Sequence, residues 1–223
     1  MRENSLDTHD IAERQRDRVT LAALLAAAAA LRGVILFTGQ AALRSDEAVV
    51  GLMARHIVTR GETPLFLYGQ PYGGGHAAVA WLAALPTALF GLSPVLLTAI
   101  PALFSLGAVL LLWRIVRRYA SWEAATGATA LYAFGAPILY QSGLVNGGAE
   151  SFFLALAALA LFLRAYLDGE STPGNGFAVG LLCGLAYFAM DYALLYPIVF
   201  ALLWVTRRGA WRYAAYAAAG FAA

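Results

Sequence analysis

The sequence predicts an all-α, polytopic transmembrane helix bundle with juxtamembrane helices in its first external loop. Three observations predict it. Of 223 residues, 61% are hydrophobic and 13% charged, about half the charged share that dresses a soluble domain. Residues 19–31, 94–113, 124–149 and 176–190 contain no Asp, Glu, Lys or Arg. All 15 basic residues are arginine, most of them at the ends of apolar runs. A helix needs about 20 apolar residues to cross a hydrocarbon core roughly 30 Å thick, and several runs meet or approach that length.

The elements follow in order. Residues 1–18 are expected to form a charged, mobile tail containing Arg14, Arg16 and Arg18. The tail is too polar for a signal peptide and the next run too long for one, so 19–43 is predicted as an uncleaved first span. A polar segment covers 44–75. Further apolar pieces occupy 76–90, 94–116, 122–140, 150–167, 176–190 and 192–206. Residues 213–223 begin another apolar run too short to cross a bilayer. The expected division is therefore a tail, 1–18, and a transmembrane domain, 19–223, that is incomplete at its C-terminus and belongs to the N-terminal part of a longer protein.

Positive charge favours the cytoplasmic side. With the tail inside, segment 44–75 lies outside. If 76–90 crossed, Arg114, Arg117, Arg118 and Arg164 would all fall outside. If it does not cross, they fall inside, as do Arg207 and Arg208 provided 176–206 makes an in-and-out pair. Residues 76–90 are also short for a span and contain Pro86. They are predicted to lie in the interface or re-enter from outside. Asp191 sits mid-way through 176–206, where a buried carboxylate would cost several kcal/mol. Two short helices with Asp191 near an external turn avoid that cost; one tilted helix with Asp191 paired in the bundle is the alternative. Arginine without lysine, and abundant alanine, suggest a GC-rich bacterial source. The expected location is the bacterial inner (cell) membrane, with the N-terminus cytoplasmic and the polar sites extracytoplasmic.

Several classes are unsupported. There is no phosphate-binding G-x-x-x-x-G-K-[ST], no dinucleotide-binding glycine pattern and no H-E-x-x-H. His9, His56 and His76 are scattered, so no metal site is expected. The single cysteine, Cys183, reads as a small core residue. A net charge of +2 gives no reason to expect a nucleic-acid partner.

Four places could carry chemistry. Ser45-Asp46-Glu47 opens a helical pattern in which Val49, Val50, Met53 and Ile57 share a face. At about 100° per residue Asp46 is expected on that face, with Glu47 and Arg55 pointing elsewhere. A partly desolvated carboxylate there suits general-base work; ordinary helix capping by Ser and two acids accounts for the same residues. Tyr68-Gly69-Gln70-Pro71-Tyr72-Gly73-Gly74-Gly75-His76 could bring backbone N–H groups to an anion and Tyr68, Gln70, Tyr72 and His76 to a sugar. It could equally be a flexible connector. Asn146 and Glu150 begin another span, with Glu150 either a second carboxylate facing the first or a helix-start acid. Arg32, inside the first span, could hold a lipid phosphate bidentately or form a structural pair. Asp191 joins the same external set.

Ser45-Asp46-Glu47-Ala48-Val49-Val50-Gly51-Leu52-Met53-Ala54-Arg55-His56-Ile57, then Pro64-Leu65-Phe66, Tyr68-Gly69-Gln70 and the apolar segment to Phe90-Gly91, resembles the first external loop of the GT-C glycosyltransferases. The likeness is greatest to the family 39-like bacterial branch, related to protein O-mannosyltransferases and to the aminoarabinose transferases of lipid A. In pattern it covers nearly the whole chain; it is specific around 44–91. It implies a GT-C-like fold and transfer of a sugar from a polyprenyl-phosphate donor to a lipid, glycan or protein acceptor on the extracytoplasmic face. By that resemblance Asp46 acts as base or positions the acceptor, Glu47 is its paired acid, and Arg32 matches a donor-phosphate residue by position. Most of the branch works without a metal, so no cofactor is expected, with a divalent cation left open. The chain departs from the family where relatives carry His-Pro-Pro and it has Gly73-Gly74-Gly75-His76. Relatives also have about twice as many spans, so the chain by itself could be inactive. Two rival readings are a small-solute or lipid transporter, for which the inverted internal repeat is missing, and a non-catalytic membrane fragment.

Overall fold

A computed structural model describes residues 3–38, 43–70, 75–205 and 211–223, with backbone alone for 3–10 and 75–76. Tyr72 lies outside the described residues, as does the side chain of His76. Among the described residues the fold is all-helical, and three helices are long and apolar enough to cross a membrane.

Helix α1 runs from Glu3 to Phe37 without interruption. From Glu3 onward the tail is helical. It continues the first span as helix, and Arg117 bonds Glu13 and Asp17, the latter at 3.0 Å. Acid–arginine pairs across helices replace the water that a free tail would need. The helix also stops six residues before the predicted Leu43.

Helix α2 (Ser45–Arg60) and helix α3 (Gly75–Phe90) pack on each other through Val50, Met53, Ala54, Ala77, Val79, Ala80 and Ala83. Leu97 and Val145 close that cluster. The other face of α3 presents Trp81, Leu82, Leu85 and Leu89 outward, as a helix bordering lipid should. At 16 residues it is about 24 Å long, short of the hydrocarbon thickness.

Helix α4 (Pro94–Tyr119) starts cleanly because Ser93 accepts the Leu96 N–H and Pro94 occupies the first position. It runs antiparallel to α1. Arg117 meets Asp17 at one end, and Ser105 meets Arg32 further along. The start of α4 therefore lies at the end of the bundle where α1 finishes. Helices α2 and α3 leave and return at that same end, so α3 does not cross, as the arginine pattern required.

Helix α5 (Trp122–Phe134) begins beside Arg16 of α1, whose guanidinium lies 4.8 Å over the Trp122 ring. Gly135 and Pro137 break it from the short α6 (Ala136–Gln141). Helix α7 (Gly148–Tyr166) returns, and its far end meets α4 where Arg118 bonds Asp168 at 2.7 Å. All these arginine pairs gather at one end of the bundle.

Within 176–205 the chain forms two helices. Helix α8 (Pro173–Ala189) ends before a single 3-10 turn, Asp191–Leu194, and α9 (Leu195–Val205) descends. Asp191 is exposed at that turn and accepts the Tyr192 N–H at 2.8 Å. Helix α10 (Trp211–Ala222) then lies parallel to α8. Gly176, Gly180 and Gly184 face Tyr213, Ala217 and Phe221 in turn, with Gly220 against the Phe177 carbonyl. Glycines four apart let two backbones touch, which is how helices associate where no hydrophobic drive separates side chain from lipid. The sequence reading did not single out this stripe.

A Cβ at Gly180 would collide with the Ala217 carbonyl oxygen, whereas one at Gly127 meets nothing. Gly180→Val should therefore destabilise the α8–α10 pair by about 3 kcal/mol or more, lowering the thermal midpoint in detergent. Gly127→Ala should leave that midpoint where it was.

Candidate functional site

The end of the bundle away from the arginine pairs carries the start of α2, the loop 141–147, the start of α7 and the 191–194 turn. Glu47 holds these together. Its carboxylate is 4% exposed; Oε2 accepts the Arg44 N–H at 2.7 Å and Oε1 accepts the Val145 N–H at 3.1 Å. One oxygen caps its own helix and the other fixes a backbone 98 residues away. Arg44 adds a second link, donating to the Tyr140 hydroxyl with its guanidinium 5.4 Å over that ring.

Asp46 is exposed and receives a long bond from Ser45 Oγ at 3.4 Å. The expected orientation of the pair is therefore reversed: Glu47 is buried and Asp46 is outward. The inward face of α2 is Glu47, Val50, Gly51 and Ala54, with Met53. Ranking positions by hydrophobicity undervalued Gly51 and Ala54; Gly51 is buried because the absence of a side chain permits close approach of Leu92 and Leu97. It also treated an acid as outward by nature, although a carboxylate satisfied by backbone N–H groups tolerates burial.

Arg32 is 3% exposed inside the bundle. Its Nη2 and Nε donate to Ser105 Oγ at 2.8 and 3.2 Å, and Nη1 donates to the Ala28 and Ala133 carbonyls at 3.2 and 3.1 Å. These neutral acceptors join α1, α4 and α5. Glu150 is 1% exposed, and neither carboxyl oxygen has a hydrogen-bond partner among the described residues. It does not look out toward Asp46. Asp46, Glu150 and Arg32 are thus not brought to one external cavity.

Asn146 accepts the Gly148 N–H at 3.0 Å, and Gly147 takes φ 83, the left-handed conformation that favours glycine. The Asn146, Gln141 and Tyr192 oxygens converge on Gly148, where a Cβ would meet them at 3.1, 3.4 and 3.3 Å. That convergence is the mouth of a cavity of about 160 Å³ lined by Ser105, Tyr132, Ser142, Tyr192 and Tyr196 among others. Gln141 and Tyr192 are exposed at its outer end; Ser105, which binds Arg32, is buried at its inner end. Sequence reasoning missed Ser105, Tyr132, Gln141, Tyr192 and Tyr196. A serine and a tyrosine within charge-free runs were the available signal.

Tyr68 does not stand free for a ligand. Its hydroxyl donates to Glu62 and lies 3.2 Å from His56 Nδ1. Burial, then the Glu62 hydrogen bond and charge, push its hydroxyl up to about 12. The same bond holds the Glu62 carboxyl below its usual range. Gln70 is exposed beyond this cluster. Among the described residues no group of three His, Cys, Asp or Glu could hold a metal ion.

Comparison with known proteins adds one finding. A family model described as dolichyl-phosphate-mannose-protein mannosyltransferase matches residues 77–223. No curated protein and no solved structure gives a significant match.

Glu47→Ala removes the acceptor for two backbone N–H groups, one in the interior. At about 1–3 kcal/mol for each buried donor left unpaired, it should destabilise the protein by about 3 kcal/mol. Proteolysis of the 141–147 loop should accelerate accordingly, while Asp46→Ala should leave loop cleavage unchanged.

Proposed function

The chain belongs to the dolichyl-phosphate-mannose-protein mannosyltransferase family, membrane glycosyltransferases of the GT-C type, and we propose that Asp46 is the residue at which it transfers sugar. The donor in this reading is a polyprenyl-phosphate sugar, mannose being the sugar of the family's description, and the acceptor is a lipid, glycan or protein hydroxyl. The acceptor oxygen attacks the anomeric carbon, its proton passes to the Asp46 carboxylate, and the bond from that carbon to the phosphate oxygen breaks. The lipid phosphate leaves with the bonding pair.

The observation that carries this reading is the division of labour between two adjacent acids. Glu47 is consumed in fixing α2 to the 141–147 loop, and the same fastening leaves Asp46 projecting outward with a single long hydrogen bond among the described residues. A carboxylate held on a rigid helix start, with its oxygens open, is positioned to accept a proton from an incoming hydroxyl. The cavity behind Gln141 and Tyr192 offers hydroxyl and amide groups suited to sugar hydroxyls. Arg32, buried beside Ser105 at the inner end, adds positive charge behind that cavity without entering it.

In this proposal the Asp46 end faces the extracytoplasmic side of a bacterial inner membrane. The collection of Arg14, Arg117, Arg118 and Arg164 at the opposite end supports that direction.

Asp46→Asn, in membranes holding the whole protein and a polyprenyl-phosphate-mannose donor, should lower kcat about 10²- to 10⁴-fold. Its thermal midpoint should stay near that of the unsubstituted protein. Full turnover by Asp46→Asn would rule out the assigned role.

A further inference from the structure

A second polar site lies on the other side of α2. Asp46 and Arg55 are nine residues apart, which places them about 13.5 Å apart along the axis and roughly half a turn out of phase. Arg55 opens a groove of about 430 Å³ between α2 and the last turn of α3, lined by Arg55, Val58, Thr59, Thr87, Gly91 and Leu92. No described residue pairs with the Arg55 guanidinium.

The floor of the groove holds the second observation. Thr87 is 8% exposed, and its hydroxyl is buried without a hydrogen-bond partner among the described residues. The helical threonines Thr59, Thr98 and Thr126 each turn their hydroxyl back to the carbonyl four residues earlier, at 2.9, 2.9 and 2.8 Å. Thr87, like Thr129 inside α5, does not. A buried donor left open costs about 1–3 kcal/mol unless something else completes it. Thr87 lines the same groove as Arg55, with its hydroxyl just beneath the surface.

Guanidinium and hydroxyl together match the oxygens of a phosphate ester. The rest of the rim is apolar: Val58 and Leu92 are about 40% exposed, and the outer face of α3 presents Leu82, Leu85 and Leu89. A free anion has no use for that surface, and an amphiphile does.

We propose that the Arg55–Thr87 groove binds the phosphate headgroup of an anionic phospholipid, with the acyl chains lying along Val58, Leu92 and the apolar border of α3. The lipid seats the α2–α3 pair on the membrane surface. It is not the sugar donor, whose phosphate must lie within bonding reach of the carbon attacked beside Asp46. Phosphate binding in the groove is independent of the role of Asp46; its distinction from the donor rests on that reading.

The test measures binding of phosphatidylglycerol to the full chain in mixed detergent micelles, by native mass spectrometry and by the shift in thermal midpoint. Phosphatidylcholine and inorganic phosphate serve as the other arms. Phosphatidylglycerol should bind and raise the midpoint, and the other two should not at equal concentration. Arg55→Gln should weaken phosphatidylglycerol binding about tenfold and Thr87→Val severalfold, while Asp46→Asn binds as the unsubstituted chain does. Three results would overturn the proposal: equal binding by Arg55→Gln, equal binding of phosphatidylcholine, or saturation by inorganic phosphate alone. If Arg55→Gln fails to fold, Thr87→Val, which changes a hydroxyl for a methyl of similar size, decides the question.

Discussion

A guanidinium inside a membrane protein must find acceptors, because leaving it bare in hydrocarbon costs several kcal/mol. Arg32 finds them on three helices at once: its own α1, Ser105 of α4 and the Ala133 carbonyl of α5. That single requirement fixes how far each of these spans slides along the others. With α1 and α4 antiparallel and registered at Arg32–Ser105, Asp17 falls opposite Arg117. The two ends of the bundle then acquire different chemistry. One collects interhelical acid–arginine pairs, and the other receives the loop helices and polar turns. The placement of Asp46 depends on this register, since α2 begins where α1 ends.

The two halves of the chain are held by different physics. Around α1, α4 and α5 a buried cation does the joining. Around α8 and α10 the joint is steric, with glycines four residues apart bringing the backbones into contact. Between α7, α8, α9 and α10 lies an apolar cavity of about 300 Å³ bordered by Phe162, Phe200, Trp204 and Tyr213. Its lining is almost wholly apolar, with the Tyr213 hydroxyl buried and without a hydrogen-bond partner among the described residues. The polar cavity behind Gln141 and Tyr192 is the better place for chemistry, although it is smaller.

Much of the fold was legible because membranes restrict it. Charge-free runs marked α1 and α4, whereas the run 124–149 is broken at Gly135 and α7 carries Glu150 and Arg164; arginine positions ruled out a crossing by 76–90, and α2 with α3 leaves and returns at one end of the bundle. The break at Asp191 followed from the cost of a mid-bilayer carboxylate. The site was harder to read. Hydropathy placed Asp46 inward and Glu47 outward, yet burial of an acid depends on which backbone N–H groups reach it, and Val145 is remote in sequence. The same blindness hid Ser105 as the partner of Arg32. It also hid Tyr192, whose importance comes from facing Gly148 across the cavity mouth. Glu62 engages the Tyr68 hydroxyl by a contact of six residues' separation, within reach of sequence reasoning but not demanded by it.

Adjacent acids at a helix start need different environments to do different work. Successive helical residues point about 100° apart, so once one of the pair is turned into the interior its neighbour is carried to the rim. Burial of Glu47 is made tolerable by the two backbone donors it satisfies, and those donors belong to segments that must be immobile if a substrate is to be held between them. The inward acid therefore sets the outward acid's position. Exchanging their roles would not work by symmetry: an inward Asp46, one methylene shorter, would have to reach Val145 from a direction α2 does not present. The order Asp-Glu, and not merely the presence of two carboxylates, is what this geometry requires.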